Sequence, residues 1–168
     1  MRQTSFAQMH CSLARSLEIM GDWWSPLIVR DVWLGLRRFD QLTEDLGISR
    51  NLLTARLAHL VEHGILVRTP YQERPVRHEY SLGKAGEELV PVLQALTEWG
   101  NRWGGAANDG PPILFRHTAC GHQFEPQVAC DHCGQAVRAD DVAPEPGPGG
   151  RETPGTMLVA PLLARKRL

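Results

Sequence analysis

Two short runs in the C-terminal third carry residues able to hold a metal ion: His117-Thr-Ala-Cys120-Gly121 and Cys130-Asp-His-Cys133-Gly134. Both have the form ligand, two spacers, ligand, glycine. A two-residue spacer lets one tight turn bring two ligands to one ion, and glycine tolerates the positive φ of such turns. His117, Cys120, Cys130 and Cys133 together make a Cys₃His set, closed and tetrahedral, suited to structural zinc. Nine residues separate Cys120 from Cys130, enough for a small hairpin. His122 and His132 compete for the fourth place; His122 lacks the two-residue spacing, so His117 is expected. The alternative is a redox Cys-x-x-Cys pair, or thiols without metal. In so short a segment the ion would replace a missing core and supply most of the folding energy.

A second group suits recognition. Arg50 can bond phosphate or guanine, and Asn51 adenine or phosphate. Ser49, Thr54 and Arg56 lie beside them, and Arg74, Arg77 and His78 follow downstream. From Gly47 to His78 five arginines face two glutamates, a local +3 in a chain whose net charge is −1. Duplex DNA is the partner this pattern fits. Exposed Arg and Asn are also what an ordinary solvated helix shows, and helix-turn-helix units occur as protein-binding modules.

Residue spacing supplies the elements that must position these groups. Leu13, Leu17 and Met20 predict a helix over Ser12–Met20, stopped by Gly21. A second begins near Asp22 or Trp23, with Pro26 in its first turn. A short helix is expected over Phe39–Leu46, then a tight turn at Gly47-Ile48. Ser49 caps a helix from Arg50 to about His63, whose apolar stripe is Leu52, Leu53, Leu57, Leu60 and Val61. Its outward side has no acidic residue until Glu62. Ile65–Thr69 and Val76–Leu82 read as two strands joined by a turn-like Pro70–Pro75, with Val76, His78, Tyr80 and Leu82 on one face. A long helix runs from Lys84 or Ala85 to Trp103; Pro91 should bend it or delay its start. The fold class is mainly α with a small β-hairpin wing, a winged helix-turn-helix, plus a zinc-ribbon-like appendage and a disordered tail.

The domain reading is 1–104 for the DNA-binding and dimerisation unit, 105–112 for a linker, 113–142 for the zinc-ribbon-like segment and 143–168 for a flexible tail. Ala143–Gly155 is rich in Pro and Gly and is expected to be disordered; Met157–Leu168 is apolar, then basic at Arg165, Lys166 and Arg167. With 168 residues and 42% hydrophobic content, the chain can build a real core. No run approaches a membrane span, and Met1–His10 has no apolar stretch. A soluble, cytoplasmic protein with no membrane partner is expected. No paired carboxylates, Ser/His/Asp order, phosphate-cradling glycine loop or open metal site is found, so no enzyme is expected.

Five stretches, in order, resemble the HxlR-type winged helix-turn-helix regulators of bacteria: Cys11-Ser-Leu-Ala, Leu17-Glu-Ile-Met-Gly-Asp-Trp-Trp-Ser-Pro-Leu-Ile-Val-Arg-Asp, Arg38-Phe-Asp-Gln-Leu, Gly47-Ile-Ser-Arg-Asn-Leu-Leu-Thr-Ala-Arg-Leu and Glu79-Tyr-Ser-Leu-Gly-Lys-Ala-Gly. The likeness covers about Cys11 to Trp103. It implies a transcription regulator that binds an inverted repeat as a homodimer, with the first and the long helix as the dimer interface. The apolar series Leu89, Val92, Leu93, Leu96, Trp99 and Trp103 agrees, although such a helix could also fold back on its own domain. Some such regulators sense oxidants through a cysteine placed like Cys11, which would make redox or metal sensing the alternative input; an inert Cys11 is the competing reading. A similar C-terminal extension occurs in some of these regulators.

Overall fold

The computed structural model describes residues 5–105 and 110–165. Helices α1 (Ser12–Met20), α2 (Trp24–Leu34), α3 (Phe39–Leu46) and α4 (Arg50–Glu62) lead into strands β1 (Leu66–Glu73) and β2 (Val76–Leu82), then helix α5 (Lys84–Trp103). This order is the winged helix-turn-helix. Strands β3 (Phe115–Arg116) and β4 (Gln123–Phe124), a 3₁₀ turn over Ala139–Asp141 and helix α6 (Val159–Arg165) follow.

The start of α2 is set by Asp22, whose Oδ1 accepts the free backbone N–H groups of Trp24 (2.8 Å) and Ser25 (2.9 Å). Gly47 has φ 62°, the left-handed turn that lets α4 leave α3 at a sharp angle. Ser49 caps α4 as expected, its Oγ accepting from Leu52 N at 3.4 Å. Between these helices lies one core: Ile28, Val29 and Val32 of α2, Leu42 of α3, Leu53, Leu57 and Leu60 of α4, closed by Ile48, Ile65, Leu66 and Tyr80. The recognition unit therefore rests on a packed base, and its outward side is left free.

The wing is longer than the sequence predicts. β1 runs on through Pro70 to Glu73, and the turn shrinks to Arg74-Pro75. The ladder tolerates Pro70 because Tyr80 N points away from β1, to Arg37 O, and Pro70 lies in the same phase as Tyr80's partner Arg68, so its missing N–H costs no ladder bond. The register then shifts at Tyr71, a bulge between Pro70 and Gln72. A bridge between Arg38 and Glu79, with Tyr80 N donating to Arg37 O at 2.8 Å, ties the wing to the entry of α3.

Pro91 does not break α5, which is continuous from Lys84 to Trp103. Pro91 and Glu87, whose carbonyl loses its partner, both face solvent, where water can serve that carbonyl. Leu89 and Leu93 pack against the core, whereas Val92, Leu96, Trp99 and Trp103 form an exposed stripe.

The segment 113–142 forms two small hairpins. Phe115 packs on Trp33 of α2 with ring centroids 6.1 Å apart, and Glu125 pairs with Arg102 of α5 at 2.7 Å. Part of the expected linker, 106–109, lies outside the described residues, as do Lys166 and Arg167. Within the expected flexible tail, the apolar run after Gly155 builds α6, with Leu158, Val159 and Leu162 exposed.

Candidate nucleic-acid interface

Asn51, Thr54, Ala55 and Ala58 all stand exposed on the outward side of α4, with Arg50 at one edge. The Thr54 hydroxyl is occupied, donating to Arg50 O at 2.8 Å, so this side chain offers its methyl group outward. Arg50 donates through Nη1 to Asp40 Oδ1 at 2.9 Å, and its guanidinium lies 4.7 Å from the centroid of the Phe39 ring.

Arg56 is placed differently from the sequence expectation. It is half-buried, and its Nε lies 3.3 Å from Asp22 Oδ1 at the start of α2. At 100° per residue Arg56 sits on the flank of α4 facing α2, not on the outward side. It ties two helices together and stands apart from the other basic residues.

The structure brings Arg50, Arg77 and His78 to one recess of about 450 Å³, lined also by Arg38, Phe39, Asp40, Gln41 and Tyr71. Three guanidiniums and one imidazole there face a single carboxylate, Asp40. Arg74 is exposed at the wing tip outside this recess. Arg38 and Tyr71 are the residues that sequence reasoning missed. Tyr71 falls at the bulge of β1, which re-aims it so that the Arg38 guanidinium lies 4.6 Å from its ring centroid. Gln41 Oε1 accepts from the N–H groups of Arg37 (3.1 Å) and Arg38 (3.0 Å), fixing the base of that arginine. Arg38 stood in a stretch quoted above, but only the three-dimensional bulge connects it to the wing.

The two cysteine-bearing turns have matching geometry. His117 N donates to His122 O and Cys130 N to Gln135 O, each at 2.9 Å. Gly121 N returns to His117 O and Gly134 N to Cys130 O, each at 2.8 Å, with φ 74° and 72° at the two glycines. Within the first turn His117 Nδ1 lies 3.3 Å from Cys120 Sγ. His122 is turned elsewhere, its Nδ1 3.1 Å from Cys120 O. In the second turn the backbone N–H groups of Cys133 and His132, then the Cys133 thiol, push the Cys130 thiol below its ordinary pKa. Each pair is thus built. Among the described residues, however, no three of these four ligand atoms come within 4.8 Å of one another.

Cys11 is a half-buried free thiol at the N-cap of α1. No described helix is long and apolar enough to cross a membrane.

Comparison with known proteins agrees with this architecture. The model of the HxlR-like helix-turn-helix family matches residues 19–108. The uncharacterized HTH-type transcriptional regulator Mb3122 of Mycobacterium bovis is 45% identical over 138 residues, covering 82% of this chain and 87% of that protein. Wherever it begins, a run of that length takes in the Cys/His segment as well as the wing. The crystal structure of PA1607 superposes with a TM-score of 0.73 at 36% identity, covering 86% of this chain and 100% of the other. The redox regulator HypR in its reduced form gives a TM-score of 0.52 at 29% identity, over 56% and 96% of the two chains. With more than half its length matched by the family model, and a relative this similar over most of both chains, this chain belongs to the HxlR-like helix-turn-helix family.

Proposed function

We propose that this HxlR-like transcriptional regulator reads duplex DNA as a homodimer on an inverted repeat, and that it does no catalysis. The observation that carries the reading is the recess where Arg38, Arg50, Arg77 and His78 gather between α3, α4 and the wing. In that reading the outward side of α4 enters the major groove, with Asn51 at base edges and Arg50 at its rim. Arg38, Arg77 and Arg74 hold the phosphates that fix register.

Support for the dimer comes from apolar surface. Leu13 and Leu17 of α1 and Val92, Leu96, Trp99 and Trp103 of α5 are exposed, Trp103 to 73%. One shallow groove is lined by Ser16, Ile19 and Met20 of α1 and by Ala85, Leu89 and Val92 of α5, so the two helices are neighbours there. Exposed apolar surface on this scale marks an interaction face. A two-fold copy would set the second α4 about 34 Å away, one turn of DNA. Sedimentation of the intact protein, paired with binding to a cognate and a scrambled site, tests both parts. A dimer that becomes monomeric in Trp99→Asp and loses the inverted repeat is expected. A wild-type monomer, or equal affinity for both sites, would overturn the reading.

Zinc held by His117, Cys120, Cys130 and Cys133 belongs to the same proposal. Support lies in two equivalent turns with a glycine in each, and in a Cys130 thiol whose pKa the neighbouring N–H groups push below its ordinary value. Loading would draw the two hairpins together. A second reading makes oxidation of Cys11 the input, favoured by the fold shared with the redox regulator HypR. Mass spectrometry after oxidant treatment checks it: an unmodified Cys11 counts against it.

A further inference from the structure

The C-terminal end of α4 carries a second set of metal-ligating side chains, unrelated to the cysteines. His59, Glu62 and His63 each place one donor atom so that all three lie within 4.8 Å of one another. The cause is helical: residues three and four apart stand above one another on the same side. The same spacing stands in the sequence, where nothing singles it out as a metal site.

Each imidazole has one nitrogen engaged by a backbone carbonyl. His59 Nε2 donates to Ile19 O of α1 at 3.2 Å, and His63 Nδ1 donates to His59 O at 2.9 Å. A carbonyl only accepts, so those nitrogens carry the protons. The lone pairs are left on His59 Nδ1 and His63 Nε2. A far nitrogen pinned by a carbonyl is the support that histidine ligands need, because it fixes tautomer and ring direction. The two rings are already close, with centroids 4.3 Å apart. Glu62 and His63 are exposed and His59 is half-buried, so an ion can enter from solvent. The negative end of the helix dipole also favours a cation here.

We propose that His59, Glu62 and His63 form a three-ligand site for a divalent transition-metal ion of the zinc type, with a fourth position open to solvent. Two imidazoles and one carboxylate suit zinc, nickel or copper and discriminate against magnesium and calcium. Tetrahedral bonds of about 2.0 Å set donors about 3.3 Å apart, so binding would draw the three side chains closer than they stand now, chiefly by movement of the exposed Glu62. The ion would replace the sole acidic charge on α4 by a net positive one, and would clip this helix end beside α1. The inference needs neither the DNA reading nor the cysteine site.

The test uses the full chain, first equilibrated with one equivalent of Zn²⁺ and then titrated with further Zn²⁺, while the side-chain nitrogen signals of His59 and His63 are followed by NMR. Saturable shifts at both imidazoles are expected, with the coordination shift at Nδ1 of His59 and at Nε2 of His63. Glu62→Gln and His63→Ala are expected to weaken this binding by about tenfold or more. Cys130→Ser, titrated without the first equivalent, should show the same affinity at the two imidazoles, and Mg²⁺ should give no shift. Glu62→Gln keeps the shape of an exposed side chain, so it stays informative if His63→Ala disturbs the end of the helix. Unmoved imidazole signals, or shifts indifferent to Glu62→Gln, would overturn the site.

Discussion

Arg50 and Asp40 are joined across the helix-turn-helix joint by a 2.9 Å bond from Nη1 to Oδ1, with both side chains mostly exposed. The pair holds the arginine over Phe39, beside the recess, and puts the recess's one carboxylate where phosphate would approach. On the proposed DNA reading, Asp40 both aims Arg50 and opposes an approaching phosphate. Asp40→Asn is expected to tighten binding to any duplex by up to about 1 kcal/mol, the scale of an exposed pair, while discrimination falls. Affinities for cognate and scrambled sites at two salt concentrations check this. Unchanged scrambled-site binding would contradict it.

Arg56 and Asn51 should separate stability from recognition. Arg56 faces Asp22, which also caps α2, so Arg56→Ala removes a half-buried charged contact. We expect a loss of about 1 kcal/mol of folding stability, the scale of a partly exposed ion pair, and little change in sequence preference. Asn51→Ala should leave stability near wild type and cost about 1–3 kcal/mol of specific binding. Chemical denaturation beside a gel-shift titration reads both. The opposite pattern would place Arg56, not Asn51, on the DNA.

Chelation should unfold 113–142 and spare the winged domain, if zinc closes the two turns. Phe115 stands 6.1 Å from Trp33, so loss of the segment should also change that indole's surroundings. Hydrogen exchange is expected to rise over 113–142 while the amides of Leu53, Leu57 and Leu60 stay protected. Trp33 fluorescence should shift in step. Spectra unaltered by a strong chelator would argue against a structural ion.

Acid should loosen the N-terminal segment. Glu18 accepts the Phe6 N–H at 2.6 Å and the Ser5 hydroxyl at 2.8 Å, and these bonds, the backbone one first, hold its carboxyl below the ordinary value of 4.5. A lowered folded-state value means the stabilisation is fully present above 4.5 and fades as pH falls through the lowered one. The protection factor of the Phe6 amide should drop on acidification, and Glu18→Gln should remove that dependence. Protection indifferent to both would show the contact to be of no consequence.

The sequence alone determined the elements whose causes are local. The helices over Ser12–Met20 and Phe39–Leu46, the Ser49 cap and the long helix to Trp103 follow from apolar period, caps and glycines, all acting within a few residues. The paired Cys/His turns were legible for the same reason, since a turn is defined by its own residues. Only the tertiary structure decided which basic residues share a surface. Arg56 turns to Asp22, Arg38 meets Tyr71 through a bulge in β1, and His59 reaches the carbonyl of Ile19, forty positions back. Such meetings depend on how helices cross and where a ladder slips, and no local period records either.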